Sequence, residues 1–418
     1  MKLLVVGKGG REHALVQALA QSPEQPEVFC FPGSDAIFET ARPIEAEDLE
    51  SRVTWMVAHQ IDLCIAGEES YLVTGEGLAN RCAHHGIPCW GPPKESAQLE
   101  ASKEFSKNFL RRHGIPTARA TVTATLQEAL AAIAGIYPTV LKYDGLAAGK
   151  GVAVCPDESS ARAFLDEVFT QGRFGPGRVL VEQCLSGPEI SVIAAIIDDQ
   201  YLVFPPARDY KRAHDGDCGP NTGGMGAVAS RHLVSQELMA RIEQEIIQPT
   251  LAGLRKEGLP YRGFLYFGLM LTPTGPQVIE YNCRFGDPEC QAVMPLVQGD
   301  LAGFCLAGAN GELRRDLLTF DDGWSVCVIL AATGYPESSH SGDLITGLQA
   351  AAKEARVYHA GTRKTPKAAW ETHGGRVLAV VARADTRQAA AATAHRAADQ
   401  IQFDGLQRRR DIGILNFD

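Results

Sequence analysis

Short apolar runs alternate with helix-spaced apolar positions over the first hundred residues. The runs Leu3–Val6, Val28–Phe31, Leu63–Ala66 and Ile87–Trp90 predict strands, and Ala14, Leu15, Ala18 and Leu19 predict a helical face ending near Pro23. Such alternation predicts a parallel sheet with ligands at the carboxyl ends of its strands. The first run meets Gly7 after four apolar residues, so it reads as a strand and not as a signal peptide.

Further along, residues 95–114 predict one helix, with Phe105 and Phe109 one turn apart and Gly114 as its stop. Residues from about 120 to 192 predict a compact unit: an Ala-rich helix, a hairpin around Val140–Val152, a helix around Ser160–Phe169 and a strand Val179–Glu182. Leu238, Ile242 and Ile246 mark a helix over Gln236–Lys256 that Pro249 should kink or restart. Strands Phe264–Leu271 and Val278–Tyr281 follow. Residues 324–418 read as a separate α/β module with strands Ser325–Leu330 and Val377–Val381, an Ala-rich helix Arg387–Ile401 and a solvated Arg408–Arg410 run.

At 418 residues, two to four domains are expected. The 45% hydrophobic and 22% charged content is that of a soluble globular protein, and no apolar run is long enough for a bilayer, which argues against a membrane partner. A net charge of −10 argues against nucleic acid as a partner, so anionic ligands need local basic clusters. The eleven cysteines are scattered without a C-x-x-C pair. They read as free thiols in a reducing cytosol, with a zinc site disfavoured.

Gly7-Lys8-Gly9-Gly10-Arg11-Glu12-His13 only partly matches a dinucleotide fingerprint. Glu12 stands where the third glycine belongs, which disfavours a nicotinamide site and leaves a turn that offers N–H groups to another phosphate or carboxylate. Val140 to Val152 delivers Lys142 at a strand end and Lys150 on a Gly/Ala loop. The run suits a triphosphate cradle, with Lys142 a positioned charge and not core, but equally suits a plain glycine hairpin with solvated lysines. Glu182 closes a strand before an open segment and Glu189 follows, an arrangement suited to adenine and ribose. Asp209-Tyr210-Lys211-Arg212 precedes Gly219–Gly226, a run too rich in glycine for regular structure, so an anion site or a long surface loop is expected. Glu280 and Asn282 share one strand face and suit Mg²⁺, unless Glu280 pairs with Arg284.

Together these stretches resemble the phosphoribosylamine–glycine ligase (glycinamide ribonucleotide synthetase) family of the ATP-grasp superfamily. The resemblance rests on Gly9–Leu15, Gly145–Val152, Gly219–Ala227, Asn282–Glu289, His359–Thr362, Gly374–Leu378 and Asp411–Gly413. It implies a mixed α/β and α+β protein: a Rossmann-like N-terminal domain (1–101), an ATP-grasp core of two α+β subdomains (102–323, flap about 120–192) and a small C-terminal α/β domain (324–418). It also implies ATP as substrate and Mg²⁺ or Mn²⁺ as cofactor, with Lys103, Lys142 and Lys150 on the phosphates. Glu182 and Leu185 would hold adenine, Glu189 the ribose, and Glu280 with Asn282 the metal. Asp209, Lys211 and Arg284 join Lys142 and Lys150 as catalytic candidates. Gly9, Gly10, Arg212, Asn221, Gly223, Gly224, Asp287, Gly375 and Arg376 are candidates for contact with glycine and 5-phosphoribosylamine. The implied chemistry is attack of the glycine carboxylate on the γ-phosphate, then capture of glycyl phosphate by the amine, in a cytoplasmic monomer or small homo-oligomer.

Departures from the family pattern concentrate on the N-terminal loops: Lys8, Ser34, Asp35, Glu68 and Tyr71, with Tyr143, Gln183 and Tyr210 elsewhere. Lys8, Asp35 and Glu68 are expected as one compensated set, a new base answering two new acids. The departures keep open a ligase for a different amine, and a non-catalytic ATP sensor is the remaining alternative.

Overall fold

The structure, a computed structural model, describes residues 1–147 and 151–414. Lys2–Gly7, Glu27–Pro32, Arg42–Pro43, Leu63–Ala66 and Cys89–Trp90 form a wholly parallel sheet. The first strand lies in its centre, between the second and the fourth. Strand order reverses there, so the crevice for a ligand opens beyond Gly7. The helix Gly10–Ala20 starts in that crevice.

The helix expected over 95–114 is broken. Gln98–Ala101 ends at Ser102, whose hydroxyl caps a second helix, Lys103–Arg112. The break turns Lys103 and Glu104 toward the flap (Lys103 Nζ donates to the Gly145 carbonyl at 2.8 Å).

The flap is a four-stranded antiparallel sheet ordered Ala120–Thr123, Val179–Gln183, Thr139–Tyr143, Val152–Cys155. Side chains alternate across it. Leu141, Tyr143, Val179 and Val181 pack on the helices Leu126–Ile133 and Glu158–Phe169. Val140, Lys142, Val152, Val154 and Glu182 line a cavity on the other face.

The central sheet is antiparallel, ordered Gly275–Asn282, Arg262–Thr272, Glu189–Ile197, Ala207–Asp209, Gly226–Ala229, Trp324–Ala331, Arg376–Ala384, Arg356–His359. The last three strands come from the C-terminal segment, which extends the same sheet: Gly226–Ala229 pairs directly with Trp324–Ala331. Pro249 does restart its helix. A π-turn over Glu243–Ile247 precedes Gln248–Lys256 and gives the proline ring room that an α-turn would deny it.

Two further expectations fail. Part of the glycine-rich run is regular, because Cys218–Asn221 pairs with Arg212–His214 as a hairpin. The Arg408–Arg410 run is solvated only at Arg410. Arg409 is fully buried, stacks on Tyr210 and pairs with Asp217 and Asp411 at 2.7 Å each, while Arg408 pairs with Asp399. Basic composition alone cannot show that acidic partners will fold onto the same residues. No helix among the described residues is long and apolar enough to cross a membrane.

Candidate active site

Two adjoining cavities meet between the flap, the central sheet and the N-terminal sheet. One, of about 350 Å³, is lined by Val140, Val154, Leu185, Met270 and Ile279, with Glu189 at its edge. The other, of about 480 Å³, is more polar and reaches Gly9, Lys103, Asn282, Arg284, Asp287 and Arg376. Lys142, Glu182, Asp209, Lys211 and Glu280 line both, at the junction. An apolar wall of Val140, Val154, Leu185, Met270 and Ile279 beside a charged chamber suits a nucleotide whose base and phosphates need opposite surroundings.

At the junction the Lys142 ammonium lies 3.1 Å from Glu182 and donates to the Ile279 carbonyl at 3.0 Å. That carbonyl is free because the Arg262–Thr272 and Gly275–Asn282 pairing shifts register between Gly268 and Leu269. Lys142 is thus buried, not the solvated lysine of a plain hairpin. Sequence reading missed Lys107, which lies 3.2 Å from the other oxygen of Glu182. Its pKa is lowered to about 8, by burial first, with Glu182 opposing and Lys142 adding. Helical spacing from Lys103 was the available signal. Lys150 lies outside the described residues.

Lys211 pairs with Glu189 at 2.6 Å, so the carboxylate expected on ribose already has a partner. Asp209 beside it is held up at about 8. Burial is the main cause, Lys211 opposes, and Glu289, Glu189 and Glu280 reinforce it. Glu280 has no ion-pair partner among the described residues, and the alternative pairing with Arg284 is not formed. Burial acts to raise its pKa, but Lys211, Lys142, Lys103 and Arg284 outweigh that and lower it. Glu280 and Asn282 both reach this chamber. Hard oxygens among clustered carboxylates fit a divalent cation, whose charge would relieve their mutual repulsion.

Toward the N-terminal sheet, Glu12 fills the space of the missing glycine. Its carboxylate accepts from the Gly9 N–H at 2.7 Å and pairs with Arg11 at 2.6 Å. The anion at this helix start is the chain's own, which closes the seat a pyrophosphate would need. Arg284 is also committed: to Glu69 at 3.1 Å and to Glu100 at 2.8 Å. Burial lifts Glu100 to about 7 against the pull of Arg284. Glu69 is lowered to about 2, since Arg284 and Arg11 overcome its burial. Neither Glu69 nor Glu100 was singled out from sequence, because their partner Arg284 is remote along the chain.

Arg376, from the C-terminal segment, donates to the carbonyls of Gly223 at 2.6 Å and Asp287 at 2.7 Å and pairs with the Asp287 carboxylate at 3.2 Å. It draws the glycine-rich loop, the Asp287 turn and the C-terminal strands to one wall. Gly10, Gly224 and Gly375 line neither cavity. Gly10 packs under Gln291, and Gly224 turns at φ +112° against Pro288. Arg212 and Asn221 lie on the smaller cavity and not in the larger chamber.

The three N-terminal departures are not one set. Asp35 accepts from the Lys364 N–H at 2.6 Å, Glu68 accepts from Ser70 at 2.9 Å, and Lys8 forms no ion pair among the described residues. The tyrosines are accommodated. Tyr143 donates to the Phe174 carbonyl at 3.0 Å inside the flap, and Tyr210 accepts from the Gly413 N–H at 3.2 Å beneath Arg409.

The chain matches the phosphoribosylglycinamide synthetase N domain over residues 1–100, its ATP-grasp (A) domain over 101–290 and its C domain over 325–415. It is 44% identical to a phosphoribosylamine–glycine ligase of Allochromatium vinosum over 424 aligned residues, covering 99% of this chain and 98% of the relative. The crystal structure of a phosphoribosylamine–glycine ligase from Thermotoga maritima superimposes with a TM-score of 0.85 at 32% identity, covering 98% of this chain and 100% of that one. A biotin carboxylase from Campylobacter jejuni shares the fold alone, with a TM-score of 0.73 at 17% identity over 99% of this chain and 94% of that one. This chain belongs to the phosphoribosylglycinamide synthetase family.

Proposed function

We propose that the chain is an ATP-dependent ligase that joins glycine to 5-phosphoribosylamine, giving glycinamide ribonucleotide, ADP and phosphate. The observation that carries this reading is the junction where Lys142, Glu182, Asp209, Lys211 and Glu280 line both the smaller cavity and the charged chamber. Base and ribose occupy the smaller cavity by Leu185 and Glu189. The phosphates reach Lys103 and Lys142, Lys150 being a third candidate from the sequence, and the acceptor substrates take the chamber by Gly9, Gly223, Asp287 and Arg376.

Phosphoryl transfer to a carboxylate needs alignment and charge cancellation more than a covalent nucleophile. Lys142 and Lys103 carry charge to the transferred group. Asp209, Lys211 and Arg284 orient the acceptors, with Arg284 fixed by Glu69 and Glu100. Glu280 and Asn282 would hold Mg²⁺ or Mn²⁺, which supplies further neutralisation when bound. The flap, tied down through Lys103 to Gly145 and Ser102 to Asp144, keeps water from the acyl phosphate. We place the domain boundaries at 101/102 and 323/324, and the protein in the cytoplasm as a monomer or small homo-oligomer.

The test is phosphate release from ATP by the purified chain. Release that needs both glycine and phosphoribosylamine supports the reading. Release indifferent to phosphoribosylamine, or an amine panel in which another amine is preferred, contradicts the acceptor.

A further inference from the structure

Cys64, Cys82 and Cys89 converge beneath the edge of the N-terminal sheet, with their sulfur atoms all within 4.8 Å of one another. Cys64 and Cys89 are direct partners on the parallel strands Leu63–Ala66 and Cys89–Trp90. Cys82 comes from the intervening helix Leu78–His84. Backbone bonds from Cys64 N–H to the Pro88 carbonyl at 2.9 Å and from Ile87 N–H to the Cys82 carbonyl at 3.0 Å fix this spacing. Cys64 and Cys82 are fully buried, and Cys89 is half-buried.

A second observation concerns charge. Arg52 is buried against the rings of Phe31 and Tyr71, and its Nε and Nη1 atoms have no hydrogen-bond partner. Its positive charge acts on Cys64 and Cys82. A cation beside grouped thiols favours thiolates. It also offsets the negative charge of three thiolates around one metal ion.

We propose that Cys64, Cys82 and Cys89 form a three-thiolate site for a soft d¹⁰ cation. A metal–sulfur bond of about 2.3 Å sets sulfur–sulfur separations of roughly 4 Å, within the spacing this fold imposes. Each bond formed replaces an S–H bond, and the proton leaves to solvent. Cu⁺ takes three soft ligands alone, whereas Zn²⁺ adds water as a fourth. None of the three sulfurs lines the nucleotide or acceptor cavities. The site therefore clamps the edge strand and takes no part in the ligation.

The test uses the full chain, reduced and freed of metal under inert gas. It is titrated with Cu⁺ and, separately, with Zn²⁺, each against a competing chelator. Retention of one equivalent, a higher Tm, and protection of Cys64, Cys82 and Cys89 from alkylation are expected, and the ion retained identifies the occupant. Cys82→Ser and Cys89→Ala should each lose that equivalent, while Cys218→Ser, at an exposed thiol, keeps it, and phosphate release is unchanged in all three. Failure to retain either ion, or protection mapped to other cysteines, overturns the site. So does an equivalent that survives in a folded Cys82→Ser or Cys89→Ala variant, and the three thiols are then ordinary core.

Discussion

Lys142 and Glu182 form an ion pair of 3.1 Å in which the side chains keep only 6% and 4% exposure. The lysine is core as well as charge, so truncation acts twice. Lys142→Ala should lower kcat by at least about 100-fold, through lost stabilisation of the transferred phosphoryl group. It should also lower unfolding free energy by about 1–3 kcal/mol, because among the described residues Glu182 then keeps Lys107 alone. Steady-state kinetics with denaturant unfolding checks both. An unchanged stability would show that the pair is open in solution.

Glu280→Gln keeps the shape of the carboxylate and removes its charge. ATP binding in excess Mg²⁺, followed calorimetrically, should weaken by about 10- to 100-fold, as when one metal-ligand interaction is lost. Binding without the metal should strengthen or stay level, since one anion has gone from the phosphate site. Equal weakening in both conditions would remove Glu280 from the metal.

Glu100 gives a pH signature. Its carboxyl is raised from 4.5 to about 7, so between those values the folded chain holds a proton that the unfolded chain has released. Its contribution to stability is full below 4.5 and is lost as pH rises to about 7. The unfolding free energy of wild type relative to Glu100→Gln should fall by at most about 1.4 kcal/mol per pH unit across that window and be flat above it. A constant difference from pH 4 to 8 would contradict the assignment.

His13 and His359 work in the opposite sense. The His359 N–H donates to His13 Nδ1 at 2.9 Å across the join between the N-terminal and C-terminal segments. Burial lowers both, to about 4 and about 3. Stability is present above 6.5 and is lost as pH falls from there toward 4, since only the unfolded rings take up protons. His13→Gln should flatten this limb of the stability profile, measured by thermal unfolding from pH 7 to 5.

Arg409→Met replaces a fully buried guanidinium whose two carboxylate partners remain. Loss of about 3 kcal/mol or more is expected in chemical denaturation, with ATP affinity weakened less than stability. The hairpin Arg212–His214 with Cys218–Asn221 hangs from Asp217 and edges the nucleotide cavity.

Periodicity located the strands Leu63–Ala66 and Val179–Gln183 to within a residue, because both bury alternating or continuous apolar positions. Local chemistry also marked Lys142, Glu182 and Glu280, which meet at one junction, and Asn282 in the adjoining chamber. What stayed hidden was long-range pairing. The partners of Arg284 are Glu69 and Glu100, that of Lys107 is Glu182, and the sheet runs on from Gly226–Ala229 into Trp324–Ala331. Sequence spacing says nothing about such contacts, which only the folded topology creates. The same reason concealed the meeting of Cys64, Cys82 and Cys89.

At the centre of the proposed function stands activation of glycine's carboxylate by ATP at the Lys142–Glu280 junction. The direct measurement supplies glycine labelled with heavy oxygen in its carboxylate, together with ATP, Mg²⁺ and phosphoribosylamine, and reads the mass of the released phosphate. Transfer of one labelled oxygen to each phosphate is the expected result. Unlabelled phosphate released alongside amide product would show that the carboxylate never attacks the nucleotide, and would contradict the account.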